Sequence, residues 1–318
     1  MFDHILVPVD GSSLAECVLP HAVALARAFD VQVTLLRVLE RPHTAGRTQS
    51  VDPLDWHIHK AEAKAYLGEV ATRLQETDVQ VESALLEGQP AERIIEFAHA
   101  QDVGLILLSS HGRSGLSGWN ISSVVQKIIL RAYMPTMVVR AYQQVTSDLT
   151  GLRYRRLLAP LDGSQRAECI LPMATTLARF YKAELLLAHV VSRPEIPRRV
   201  LPLEDDVKLA DRLTERNRIE AERYLAQLQS RLSSDVRVQL LVDVCPAAVL
   251  HELVAEEEVD LVLLSAHGYS GDTRWPYGSV ALNFIAYGTT PLLIVQDLSQ
   301  DEIEGTRAEL AMREYKGH

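Results

Sequence analysis

The chain is one unit written twice, and this repeat limits its fold more than any other feature. Ile5-Leu6-Val7-Pro8-Val9-Asp10-Gly11-Ser12 returns 152 residues later as Leu157-Leu158-Ala159-Pro160-Leu161-Asp162-Gly163-Ser164. At the same shift Ala15-Glu16-Cys17-Val18-Leu19-Pro20 becomes Ala167-Glu168-Cys169-Ile170-Leu171-Pro172, and Arg41-Pro42 becomes Arg193-Pro194. Further on, Ser110-His111-Gly112 matches Ala266-His267-Gly268 and Trp119 matches Trp275, now 156 residues apart. The added residues fall in the charged segment 204–231, opposite 53–74, where a surface helix and its loop absorb insertions. Each copy is long enough to bury its own apolar core without disulfides or metals. The expected organisation is a first domain over 1–142, a polar linker over 143–153, a second domain over 154–297 and a charged tail over 298–318.

Within each copy short β-rich runs alternate with longer stretches of helical period. In the first copy strands are predicted at 5–9, 31–38, 79–86, 105–108 and 136–139, and helices at 13–29, 54–74, 90–100 and 122–132. The second copy repeats the order, with strands at 156–161, 184–190, 236–242, 261–264 and 291–295. Near-continuous apolar strands that alternate with helices mean a parallel sheet covered on both faces. Each domain should be an α/β, five-stranded, doubly wound, Rossmann-like fold. Pro20 and Pro172 sit badly with a first helix over 13–29, because proline costs about 3 kcal/mol in a helix interior. Their repetition predicts a kink there.

Composition excludes several functions. With 32 basic against 42 acidic side chains the net charge is −10, the wrong sign for sequence-independent nucleic-acid binding. The longest apolar runs, such as 105–108 and 261–264, fall far short of the roughly 18 residues a membrane helix needs. The amino end carries Asp3 where a signal peptide would be positive, which predicts a cytoplasmic protein. Cys17, Cys169 and Cys245 include no CxxC pair, so neither a disulfide framework nor a zinc knuckle is indicated. Cys17 and Cys169, on the apolar side of the first helix, read as core thiols. His57 and His59 lie two apart, poor geometry for a metal on one helical face.

In an open α/β sheet, ligands bind beyond the carboxyl ends of the strands where strand order reverses. That selects Pro8 to Ser12 and Ser109 to Gly115 in the first copy, and Pro160 to Ser164 and Ser265 to Gly271 in the second. Glycine and serine there allow close backbone approach, and a helix start follows whose N–H groups attract anions. The pattern suits a phosphate.

These segments carry a resemblance: the sequence is similar to the universal stress protein family in its tandem form. The ILVPVDGS opening and the glycine pattern after the fourth strand make the match, over nearly the whole chain apart from linker and tail. ATP-binding members of that family carry Gly-x2-Gly-x9-Gly-Ser/Thr. The second copy reads Ser265-x2-Gly268-x9-Gly278-Ser279, and the first reads Ser109-x2-Gly112-x9-Ser122-Ser123. The resemblance implies that Asp10 or Asp162, with Val38 or Val190, holds adenine, and that Pro8 or Pro160 borders the ribose. His267, Gly268, Gly278 and Ser279 would cradle the phosphates, with His111, Gly112, Ser122 and Ser123 as the weaker counterparts. Ser122 adds a side chain where backbone should touch phosphate, and would restrict φ if the site required a positive value. ATP, with Mg or Mn, is therefore expected in the second domain, and the first is weaker or vacant. The resemblance also implies that 136–139 and 291–295 pair inside the chain as a pseudo-twofold intramolecular dimer, with a further homodimer left open.

Other readings stand beside these. Asp-Gly-Ser after a strand is also an ordinary turn with a helix cap. His111 and His267 could merely hydrogen-bond within their loops, and Trp119 and Trp275 fit packing of a surface loop better than stacking on a base. The chain has no GxxxxGK[ST] loop, GxGxxG turn, HExxH or GxSxG. No lysine lies in either glycine loop, although Arg113 and Arg274 are near, so ATP hydrolysis would be slow at most. The function read from the sequence is a regulatory, nucleotide-binding module that acts on an unidentified protein partner. The alternatives are a nucleotide-free scaffold or a slow ATP hydrolase.

Overall fold

The computed structural model describes residues 2–40, 53–113, 115, 121–141, 148–194, 203–232, 236–269, 275–298 and 301–303. The chain divides into two compact units, Met1–Arg153 and Tyr154–His318.

The first unit runs β1 (His4–Pro8), α1 (Leu19–Phe29), β2 (Gln32–Leu39), α2 (Pro53–Gln75), β3 (Val81–Glu87), α3 (Pro90–Ala100), β4 (Leu105–Ser109), α4 (Ser123–Ala132), β5 (Thr136–Val139). The second repeats it as β6 (Arg156–Pro160), α5 (Leu171–Tyr181), β7 (Glu184–Ser192), α6 (Glu204–Leu232), β8 (Val236–Asp243), α7 (Pro246–Glu256), β9 (Leu261–Ser265), α8 (Ser279–Tyr287), β10 (Leu292–Val295). Every pairing within a unit is parallel, in the order β3-β2-β1-β4-β5 and, equivalently, β8-β7-β6-β9-β10. The registers correspond: Ile5 lies opposite Leu105, and Leu157 opposite Leu261. β4 and β9 are buried along their whole length, which is why they read as unbroken apolar runs. Strand order reverses between β1 and β4, and again between β6 and β9, so a crevice opens at those carboxyl ends. Right-handed crossovers then place α1 and α2 on one face and α3 and α4 on the other. The extra length of the second copy shows in α6, with 29 residues against 23 in α2. Among the described residues no helix is long and apolar enough to cross a membrane.

The prolines correct the sequence reading. Ala15–Val18 form a 3-10 turn and α1 starts only at Leu19, so Pro20 lies in the first turn of the α-helix. Ala167–Ile170 and Pro172 repeat this ahead of α5. An N–H in that turn has no acceptor within the α-helix itself, so proline there breaks none of the helix's own bonds. It marks a junction between two helix types, where a kink inside one helix was expected.

Candidate functional site

Loop 1 follows β1 and β6 and is built by its aspartate. Asp10 Oδ1 accepts from the Ser12 N–H (2.9 Å) and hydroxyl (2.6 Å), and the Ser12 hydroxyl oxygen accepts from the Ala15 N–H (3.1 Å). Asp162 and Ser164 repeat this at 3.0, 2.6 and 3.1 Å. Between them Gly11 and Gly163 take φ of +85° and +84°, which favours glycine. The turn-and-cap reading of Asp-Gly-Ser is thus realised in both copies.

The second carboxylate oxygen reaches across the crevice to loop 4. Asp10 Oδ2 accepts from the Arg113 N–H (2.5 Å), and Asp162 Oδ2 from the Tyr269 N–H. A Cβ built on Gly112 or Gly268 would stand 2.1 Å from that oxygen, so this glycine is needed for close approach of the carboxylate. The serines that replace the first glycine of the family pattern turn inward. Ser265 donates to the His267 carbonyl (2.5 Å), and the Ser109 hydroxyl lies within hydrogen-bond distance of the His111 (2.7 Å) and Leu14 (2.8 Å) carbonyls. Both are buried. Pro8 and Pro160 close β1 and β6, and Val38 and Val190 lie half-buried near the carboxyl ends of β2 and β7.

Ser122 and Gly278 are the N-caps of α4 and α8, and Ser123 and Ser279 are the exposed first residues of those helices. Both caps have φ of −73°, with ψ of 160° and 170°, so the position requires no positive φ, and that part of the sequence argument falls. Their N–H groups make equivalent bonds, Ser122 to the Ser110 carbonyl (2.8 Å) and Gly278 to the Ala266 carbonyl (2.7 Å). The caps differ in the side chain. The Ser122 hydroxyl accepts from the Val125 N–H (3.3 Å), whereas α8 receives no side-chain cap.

Two further differences were not read from the sequence. Behind loop 4 of the second unit, Asp297 Oδ1 accepts from the His267 N–H and pairs with its Nδ1, both at 2.9 Å, and His267 Nε2 lies 2.6 Å from the Trp275 carbonyl. Asp297 Oδ2 accepts from Arg166 (3.0 Å), which also binds Glu302 (2.6 Å). His267 is buried, which alone would lower its pKa. The bonds to Asp297 and the Trp275 carbonyl prevail and raise it. His267 is thereby spent inside the protein, leaving its ring no free donor for a ligand. In the first unit Ser110 takes this place: its hydroxyl accepts from the Ala141 N–H (3.0 Å) and lies 3.1 Å from His111 Nδ1.

The second difference lies in the crevice itself. Arg37 on β2 has its guanidinium against Gly11, whose Cβ would meet Nη1, Cζ and Nη2 at 3.2–3.3 Å. His189 occupies the matching place on β7, and the nearest atom to a Cβ on Gly163 is its Cε1 at 3.9 Å. The available signal was a lone charge within an apolar strand, Gln32–Leu39, and, for Asp297, an acid just after the last strand.

Cys17 is buried and donates to the Ser109 hydroxyl (3.3 Å), and burial pushes its thiol up to about 11. Cys169 is half-buried, and burial with the charge of Asp297 raises it to about 12. Trp275 is half-exposed. Trp119 and Arg274 lie outside the described residues.

The sequence profile of the universal stress protein family matches residues 1–140 and 153–296. The chain belongs to that family. A universal stress protein of Methanocaldococcus jannaschii is 29% identical over 141 residues, 44% of this chain and 83% of the relative. One from Mycobacterium bovis is 23% identical over 304 residues, 92% of this chain and 96% of the relative, so the tandem arrangement recurs. The crystal structure of a putative universal stress protein from Pseudomonas aeruginosa superposes with a TM-score of 0.65 at 15% identity, covering 98% of both chains, which places the fold. In universal stress protein terms, this chain is a tandem member whose two loop-4 segments have diverged.

Proposed function

We propose that this tandem universal stress protein is a regulatory module that binds adenine nucleotide, chiefly ATP, in its second unit. The observation that carries the reading is the uncapped start of α8. The first-turn N–H groups of a helix have no intrahelical acceptor. With glycine at the cap they and the exposed Ser279 hydroxyl face the crevice as anion donors. Gly268 lets the Asp162 carboxylate lie against loop 4. Asp162 accepts three hydrogen bonds, and a carboxylate has about four acceptor sites, so one remains for the amino group of adenine. Pro160 and Val190 border the base and sugar. In the first unit the Ser122 hydroxyl takes one of the α4 first-turn N–H groups and Arg37 fills the space beside Gly11, which disfavours the same ligand there.

Among the described residues no group of three or more His, Cys, Asp or Glu side chains forms a metal site. Mg or Mn would therefore reach the protein through the phosphates of the nucleotide, and no step here depends on it. Bound nucleotide would act by changing which protein partner the unit accepts.

The test is isothermal titration of ATP into the full chain and its Gly278→Glu variant, with folding of both checked by circular dichroism. One ATP per wild-type chain and at least about tenfold weaker binding by the variant are expected, because a carboxylate at the cap would face the phosphates. Equal binding by both, or none by the wild type, would overturn the assignment. Mass spectrometry of the protein as purified under native conditions adds a second readout, in which co-purified ATP or ADP is expected.

A further inference from the structure

The first unit holds a cation, Arg37, with no hydrogen-bond or ion-pair partner among the described residues. Arg37 is 7% exposed. Its guanidinium lies over the Tyr66 ring, 5.2 Å from the centroid, and against the glycine turn of loop 1. No hydrogen bond or ion pair joins it to any described residue. The nearby acids are engaged elsewhere or in water. Asp10 holds Ser12 and the Arg113 N–H, Glu16 accepts from Tyr66 (3.2 Å) and Arg73 (2.9 Å), and Glu62 is exposed on α2. No described residue accepts from its five N–H donors, and a guanidinium held largely out of bulk water with no anionic partner is costly.

A second positive charge makes matters worse for the empty crevice. Arg113, exposed on loop 4, is close enough that its charge, after burial itself, lowers the pKa of Arg37, against smaller attractions from Tyr66, Asp10 and Glu62. A fork-shaped donor stacked on an aromatic ring, buried at a strand end and joined by a second guanidinium, matches an oxyanion of about two negative charges. Phosphate carries about −1.5 to −2 near pH 7.

We propose that the crevice of the first unit binds a phosphate group, free or as the monoester of a small molecule, through the Arg37 fork with Arg113 as the second cation. The second unit lacks this device: His189 replaces Arg37, and burial lowers its pKa, against the charge of Asp162, so it presents no fixed charge at neutral pH. Gly11 serves the phosphate site directly, since any side chain there would crowd the guanidinium. The inference is independent of the nucleotide assignment, which concerns the other unit.

The experiment uses the full chain with Gly278→Glu present throughout, to close the phosphate donors of α8. It is titrated with inorganic phosphate at constant ionic strength set by chloride, followed by calorimetry and by melting temperature. Glycerol phosphate and acetate are run in parallel. Expected are saturable binding of phosphate, free or esterified, at one site per chain, and at least about tenfold loss in Arg37→Gln. The ligand-free melting temperature of that variant should not fall, because an unpaired charge has been removed. Arg37→Lys, which keeps the charge and the stem but not the fork, should also lose binding, and it serves if Arg37→Gln does not fold. Binding that survives in either variant, or acetate saturating the site as tightly as phosphate, would overturn the proposal. So would phosphate acting no differently from chloride. Glycerol phosphate binding with no response to inorganic phosphate would overturn the part that names the free ion. ATP titrated into Arg37→Gln with Gly278 retained should behave as in the wild type, which separates failure here from failure of the nucleotide reading.

Discussion

The two units share a backbone and differ in how side chains fasten loop 4. Both keep the aspartate that bridges loop 1 to loop 4, the glycine that lets it approach and the serine below it. Behind the loop, the first unit uses the neutral Ser110 hydroxyl, whereas the second uses a charge relay of half-buried Arg166 with the buried side chains of Asp297 and His267. The partners cannot be interchanged, since Leu14 and Ala141 stand where Arg166 and Asp297 would be needed. Duplication therefore preserved what the backbone requires and left free what side chains can solve in more than one way.

Removing the charge relay should separate the units most sharply. Asp297 is nearly inaccessible, and its loss strands His267 and one arm of Arg166. Breaking a buried pair from one side costs about 3–5 kcal/mol. Arg166 is a third exposed and can rehydrate, so Asp297→Ala should destabilise the second unit by about 3 kcal/mol in urea denaturation. The same relay gives pH dependence of a definite sign. The folded pKa of His267 is raised, so its pairing stabilises fully below the unfolded value of about 6.5 and is lost as pH rises through the folded value. The urea midpoint of the second unit should accordingly fall as pH is raised above neutrality, and that trend should vanish in His267→Gln. If the first unit shows the same trend, the relay is not its cause.

A smaller effect should be common to both units. Gly112→Ala and Gly268→Ala each force a methyl to within 2.1 Å of an aspartate oxygen. The carboxylate can swing away only by releasing the Arg113 or Tyr269 N–H, so each substitution should cost about 1–3 kcal/mol. Equal losses in the two units would mark this bridge as the part duplication could not relax. A loss in one unit alone would break the comparison.

The alternating strands and helices and the loops that line the crevice were legible in the sequence because they depend on residue types that recur at fixed spacing. The bridge was not, since Asp10 and Asp162 were read as adenine contacts and not as fasteners of loop 4. The alternating period gave the strands to within about two residues, though not the start of the first helix, expected at 13 and found at Leu19, and Asp10, Gly112, Asp162 and Gly268 were selected from their loops. What could not be read depends on where side chains point. Pro20 looked like an interior kink because period cannot tell a 3-10 turn from the first turn of an α-helix. His267 looked like a ligand residue because its partner, Asp297, lies 30 positions further along the chain. Arg37 was passed over as part of an apolar strand, yet in that strand it is the residue that most distinguishes the two crevices.

The smallest effect on stability tests the largest claim about function. Gly278 and Ser122 share a φ of −73°, and a Cβ on Gly278 would meet only ordinary contacts at 3.5 Å and beyond. Gly278→Ser and Ser122→Gly should therefore change stability by only about 0.5 kcal/mol, in opposite directions, since serine and glycine differ little as caps. Their effects on ligand should differ. In the second unit the new hydroxyl competes for the N–H that the phosphates would use, so Gly278→Ser should weaken ATP binding several-fold in calorimetry. In the first unit, freeing the same N–H should not create a nucleotide site, because Arg37 still occupies the space beside Gly11. ATP binding to the first unit in Ser122→Gly alone would show that the helix cap, and not the residue at the end of the second strand, separates the two sites.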